Sequence, residues 1–135
     1  MEKWGNEALT DKIINACIAV HKELGPGFLE NIYHNALKIE LTRQKLHYES
    51  EKEINVMYLG EEIGVHRLDL LIENEIVVEL KTVEDLHKKY YAQVRSYLKA
   101  FHREVGLLVN FADYKLDIRR VEVSKKQGKN GSGEA

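Results

Sequence analysis

The sequence predicts an α/β protein, an α/β/α sandwich in which a central sheet of about five strands lies between helices. Three observations predict it. The stretch RLDLLIENEIVVELKT holds two short runs rich in Leu, Ile and Val around Glu73-Asn74-Glu75, the pattern of a hairpin buried on both faces. Three other segments repeat apolar residues at helical spacing. The order helix, helix, three strands, helix, two strands then sets a helix between strands of one sheet.

Each element has its own local reason. Thr10 can cap a first helix over Asp11 to Leu24, with Asp11 favoured by the helix dipole and Gly25 as the stop. Its apolar stripe is Ile13, Cys17, Val20 and Leu24, widened by Ile14 and Ile18. Gly25-Pro26-Gly27 turns the chain into a second helix, about Leu29 to Gln44, with Leu29, Tyr33, Ala36, Leu37 and Leu41 on one side. The period then changes: His47 to Tyr58 alternates imperfectly, Leu59-Gly60-Glu61 turns, and strands follow at about Ile63 to Ile72 and Ile76 to Lys81. A third helix, about Val83 to Phe101, presents Leu86, Tyr90, Val94, Tyr97, Leu98 and Phe101. Val105 to Asn110 is a fully apolar strand, and Lys115 to Val123 a final edge strand.

Composition sets limits. With 135 residues, 44% hydrophobic and 31% charged, the chain suits one core and is too short for two. We expect one domain over residues 1–123 and a flexible tail over 124–135, because KKQGKNGSGEA has no means of building a core. A net charge of −2 argues against gripping nucleic acid by bulk electrostatics, so any such contact is local. The lone Cys17 excludes an internal disulfide and a multi-cysteine zinc site, which suits a cytoplasmic protein. No apolar run approaches the roughly 18–20 residues of a membrane span, and MEKWGNEALTDK lacks the apolar centre of a signal peptide.

Three charges sit inside the two most apolar stretches: Asp69, Glu79 and Lys81. An unpaired carboxylate taken out of water costs several kcal/mol, so these groups neutralise one another or share a cation. Glu79 and Lys81, two apart on a strand, share a face, and a turn centred on Asn74 sets Asp69 opposite Glu79, at about 5 Å between β-carbons. Two carboxylates at that spacing can share one divalent ion, at about 2.0–2.1 Å for magnesium. The arrangement suits phosphodiester hydrolysis, with a polarised phosphoryl oxygen and Lys81 orienting water or stabilising developing charge.

The pattern Asp69, then Glu79-Leu80-Lys81, resembles the PD-(D/E)xK nuclease superfamily, with Leu68 where the nominal proline would stand. Gly27-Phe28-Leu29-Glu30-Asn31-Ile32-Tyr33, preceded by His21-Lys22-Glu23-Leu24-Gly25-Pro26, is similar to the signature of the GxxExxY proteins, a bacterial and archaeal branch of it. Gln93-Val94-Arg95-Ser96-Tyr97 resembles the QxxxY element of RecB-like nucleases. The resemblance runs from about residue 10 to residue 110. It implies a restriction-endonuclease-like sandwich around a mixed sheet and a Mg2+- or Mn2+-dependent nuclease acting on DNA ahead of RNA.

Other residues are read both ways. Glu30 faces the interior side of its helix; a first-turn cap or salt bridge would explain it, while the resemblance makes it a further acidic ligand. His21 lies inside the apolar arc of helix one, either bonded to backbone or, as the resemblance implies, on the metal. Gln93 and Tyr97, four apart, can hold Lys81 or a substrate phosphate, and Tyr33 can converge there, though each tyrosine also suits plain packing. The remaining histidines show no zinc spacing. Lys88, Arg95, Lys99 and Arg103, and separately Lys115, Arg119, Arg120, Lys125 and Lys126, form solvated faces or tracks for a nucleic acid strand.

Three functions follow: a nuclease using Asp69, Glu79, Lys81 and Glu30; a catalytically silent nuclease-like module in a defence or repair assembly; or a salt-bridged hairpin with no chemistry. A homodimer or a larger assembly stays open.

Overall fold

The structure is a computed structural model and describes residues 2–124, with side chains described from residue 7 onward. The elements are α1 (Glu2–Leu24), α2 (Glu30–Arg43), β1 (Tyr48–Tyr58), β2 (Glu61–Ile72), β3 (Ile76–Lys81), α3 (Lys88–Phe101), β4 (Val105–Asn110) and β5 (Asp117–Glu122). The strands form one five-stranded sheet in the order β1-β2-β3-β4-β5. Only β3 and β4 are parallel, because α3 carries the chain back between them; the other neighbours are antiparallel. This is the expected sandwich with a mixed sheet.

Local chemistry accounts for the turns. Leu59 and Gly60 both take positive φ, 51° and 82°, and join Tyr58 to its partner Glu61, the geometry of a two-residue type I′ hairpin. Glu73 and Asn74 take φ of 53° and 55° beyond the Ile72–Ile76 pair, so the second hairpin turns where the sequence placed it.

The sheet buries both faces. Ile13, Ala16 and Cys17 of α1 and Tyr33, Leu37 and Leu41 of α2 pack on Leu70, Ile72, Ile76, Val78 and Leu80. Val94, Tyr97 and Leu98 of α3 pack on the other face, against Leu68, Leu71, Val77 and Leu108. Burial pushes the Cys17 thiol up to about 12, so it behaves as a small hydrophobe. Gly106 sets how closely α3 lies: a Cβ there would stand 2.8 Å from Val94 Cγ1 and 3.2 Å from the Val77 carbonyl oxygen.

Several boundaries differ from the sequence expectation. α1 starts at Glu2 rather than Asp11, and Thr10 is buried inside it instead of capping it. Glu7, Ala8 and Leu9 are helix-compatible, and Leu9 packs on the core, so the helix continues upstream. α3 starts at Lys88, not Val83. The Asn110 amide explains this, since its Oδ1 accepts the Val83 N–H at 3.1 Å and its Nδ2 donates to the Val83 carbonyl at 2.8 Å. That paired contact satisfies both backbone groups of Val83 outside the helix. Leu29, assigned to a buried face, is 76% exposed. β5 covers Asp117–Glu122, shorter than the expected strand. Residues 125–135, with Lys125, Lys126 and nearly all the expected tail, lie outside the described residues. Among the described residues no helix is long and apolar enough to cross a membrane.

Gly106→Ala is expected to destabilise the fold by about 1–3 kcal/mol through overpacking. Chemical denaturation should also show a smaller penalty for Gly106→Ala in a Val94→Ala background than in the wild type, because the nearest obstructing atom is then gone.

Candidate active site

The site forms where β2 and β3 part. Their pairing runs from Ile72–Ile76 to Leu70–Val78 and stops there, although β2 continues beside β1 and β3 beside β4. At the same level β1 and β2 both change face. Ser50 and Leu70 contact the α1/α2 layer, whereas Lys52 lies over the Phe101 ring and Leu68 packs against α3. The residues between them are Glu51, with φ of 55°, and Asp69. Asp69 therefore does not face Glu79 by simple alternation. Its carboxylate lies along the sheet, in the gap, where Oδ2 accepts the Leu80 N–H at 2.8 Å. A side-chain oxygen takes over from a main-chain acceptor, and the parted strands keep a notch between them.

Glu79 closes that notch from β3. It is 5% exposed, its Oε2 stands 3.8 Å from Lys81 Nζ, and its Oε1 is buried without a hydrogen-bond partner. Burial, and then the Asp69 charge, push its pKa up to about 8; the Lys81 ammonium and the Asp69 backbone N–H act the other way. Asp69 is also raised, first by burial, with the Leu80 N–H, His34 and Lys81 holding it down. Two acids so placed resist carrying two full charges.

Both helical layers reach the notch. From α3, Gln93 Oε1 accepts a long hydrogen bond from Lys81 Nζ at 3.5 Å, and the ammonium lies 4.7 Å from the centre of the Tyr90 ring. Tyr97, packed edge-on against His66 at 4.6 Å, has its phenol pushed up by burial and by the Glu79 and Asp69 charges. From α2, Glu30 is half-buried and raised by burial and by Asp69, with Lys81 opposing. Asp69, Glu79, Lys81, Glu30, Gln93 and Tyr97 thus share one environment.

His21 and Tyr33 have structural partners instead. His21 Nε2 lies 2.8 Å from the Asp113 carbonyl oxygen, with its ring against Phe111, a backbone bond that a metal-binding histidine also makes through its second ring nitrogen. The Tyr33 hydroxyl donates to the Gly25 carbonyl at 2.6 Å and accepts the Phe28 N–H at 3.2 Å, while its ring stacks on Phe111 at 4.6 Å. That hydroxyl is committed to the α1–α2 turn. The basic tracks also shrink: Arg119 pairs with Asp117, Arg120 with Glu122, and Arg103 bonds to Asn74.

Sequence reading missed Tyr90, His34 and Asn110. Tyr90 looked like core because it lies on the apolar stripe of α3. His34 follows Glu30 by one helical turn, which was the available signal; its Nε2 lies 3.3 Å from Ser50 Oγ. Asn110 stands in register with Lys81 at the end of a run of buried apolar residues.

Among the described residues no group of three or more His, Cys, Asp or Glu side chains is already arranged to hold a metal ion. The donors do fit a hard cation that takes one or two carboxylates and completes its shell with water and phosphate, as magnesium does. Asp69 and Glu79 could supply those carboxylates, with Glu30 acting directly or through water. The unpartnered Oε1 is an atom such an ion would satisfy. A shallow hollow of about 420 Å3 on α2, lined by Asn35, Lys38, Ile39, Thr42 and Tyr48, includes none of these residues.

Comparison with known proteins identifies a family and a fold. A family model of the PD-(D/E)XK nuclease superfamily matches residues 7–121. Curated protein sequences give no match. In fold the chain is similar to the crystal structure of SSO0001, with a TM-score of 0.57 and 22% identity, over 78% of this chain and 56% of that one. It is also similar to an alkaline exonuclease, LHK-Exo from Laribacter hongkongensis, with a TM-score of 0.50 and 12% identity, over 72% of this chain and 57% of that one. The chain therefore spans under three-fifths of either protein, and the likeness is one of fold.

The raised Glu79 gives a signed pH dependence. Between its ordinary value of 4.5 and about 8 the folded state holds a proton that the unfolded chain releases, so stability falls as pH rises through that window and levels off above it. Glu79→Gln should flatten this slope and be more stable than wild type above pH 8, by at least about 1 kcal/mol. Urea denaturation at pH 5, 7 and 9 measures both; a wild-type slope of opposite sign would contradict the assignment.

Proposed function

Since this chain belongs to the PD-(D/E)XK nuclease superfamily, we propose that it is a divalent-metal-dependent nuclease that hydrolyses phosphodiester bonds, with DNA the first substrate to test and RNA the second. Nucleases of the superfamily generally use divalent metal ions. The observation that carries the reading is the pair of desolvated acids, one with an orphaned oxygen, beside a lysine ammonium. The segment Gly27 to Tyr33 supports placement in the GxxExxY branch, and we propose residues 1–123 as the nuclease domain of a cytoplasmic protein.

Asp69 and Glu79 would hold magnesium or manganese, and Glu30 would add negative charge at the same place. When bound, such an ion polarises a phosphoryl oxygen and makes water more acidic. Lys81 orients the attacking water or meets the negative charge that develops on the phosphoryl group. Gln93 and Tyr90 limit where the ammonium can lie, by a hydrogen bond and a ring face. Tyr97 walls the acids off from water on the α3 side.

One observation favours a second reading, a silent binding module: among the described residues no three donor side chains already stand grouped as for a metal ion. Metal binding and turnover separate the two. Purified protein with Mg2+ or Mn2+ is expected to cleave DNA or RNA, to stop when chelator is added, and to lose about 10²–10³-fold in rate as Lys81→Ala. Manganese is also expected to raise the melting temperature of the wild type at pH 8 and to raise that of Glu79→Gln less. Metal-induced stabilisation without cleavage of any nucleic acid would support the silent module; neither effect would leave a salt-bridged hairpin.

A further inference from the structure

Exposed apolar side chains stand on the two loops that flank the strand ends bearing the acids and Lys81. The loop over residues 25–29 leads into Glu30, and the loop over residues 111–116 leaves the end of β4, beside the end of β3 that carries Lys81. These two loops are tied together. Phe28 packs edge-on against Tyr33, Tyr33 stacks on Phe111, the Phe111 N–H donates to the Lys81 carbonyl at 2.9 Å, and His21 Nε2 meets the Asp113 carbonyl. Gly25 and Gly27, with φ of 72° and 109°, allow the tight path that Tyr33 clamps at Gly25 and Phe28. What this frame presents to solvent is large and apolar: Phe28 is 45% exposed, Leu29 76% and Tyr114 87%.

Charge points the same way. The guanidinium groups of Arg67, Arg103, Arg119 and Arg120 are engaged by groups of this chain, and the net charge is −2. Binding a duplex through its phosphates needs free positive charge. Proteins that hold single strands can rely on base stacking against exposed rings, which every base permits. Phe28, held edge-on against Tyr33, also loses little freedom when a base lands on it.

We propose that Phe28, Leu29 and Tyr114 form a platform for unpaired bases next to the phosphate that is cut, so that the site takes single-stranded nucleic acid in preference to an intact duplex. This rests on the nuclease reading of the acid pair, and the experiment keeps the two apart by measuring binding without turnover. Fluorescence anisotropy would follow a labelled 20-nucleotide single strand, and the same sequence as duplex, added to the Lys81→Ala protein in chelator. The single strand is expected to bind at least about tenfold more tightly than the duplex. Phe28→Ala with Leu29→Ala should weaken single-strand binding about tenfold while leaving the duplex unchanged. Tyr114→Ala, at a site outside the core, should show the same selective loss, and circular dichroism should show each variant folded. Equal or tighter duplex binding, or single-strand affinity unaffected by both variants, overturns the proposal. So does a dimer in sedimentation that Phe28→Ala with Leu29→Ala dissolves, because the same side chains would then meet a second copy. If wild-type protein proves unable to cleave but the selective binding holds, the platform stands and only the nuclease reading falls.

Discussion

The bond from the Leu80 N–H to the Asp69 carboxylate organises the centre of this protein. Where β2 and β3 stop pairing, a buried N–H would be orphaned, at a cost of about 1–3 kcal/mol. Asp69 answers it with a side-chain oxygen and so lets the strands part without that penalty. The gap then admits a second carboxylate, Glu79, which burial and the first acid keep from ionising freely. An apolar residue at position 69 would leave neither the acceptor nor the second charge.

Around this notch the two helical layers have different tasks. α3 supplies groups that handle Lys81: an amide acceptor in Gln93, a ring face in Tyr90, and the wall of Tyr97. α2 supplies Glu30, which is raised by the Asp69 charge, and one turn on His34, which helps hold Asp69 down. Gly106 belongs to the same design, since the absence of its side chain lets α3 come near enough for these contacts. The site sets opposed charges where the sheet meets both helical layers, and a cation bound there would relieve the repulsion between the acids.

His21 and Tyr33 show how a residue close to a site can serve its frame. Both are polar groups on inward-facing helix positions, and both bond to backbone of loops rather than to the acids. The bonds fix the loops over residues 25–29 and 111–116, which stand at the ends of β3 and β4. Their effect on the site is therefore positional. The arginines near β5 illustrate the complementary point, since a cluster of basic residues in sequence became local ion pairs once strand neighbours were set two apart.

Much of the fold was legible because its causes are local. The hairpin about Asn74, the apolar β4, the turn at Leu59-Gly60 and, apart from the exposed Ile18 and Leu29, the three helical stripes follow from periodicity and turn chemistry, which act over a few residues. That Asp69, Glu79 and Lys81 lie near one another was legible too, since a hairpin about Asn74 returns β3 beside β2, but the expected opposition of Asp69 and Glu79 across paired strands is not what joins them. Tertiary structure decided the rest. Alternation could not reveal the change of face at Glu51 and Asp69, because it arises from an irregularity shared by two paired strands; nor could it reveal that Asn110 bonds Val83 outside α3. Whether His21 and Tyr33 faced the acids or the loops depended on partners 92 and 8 residues away. A hydrogen bond of that kind is chosen by which backbone group lies within reach, and only the packed chain brings the candidates into reach.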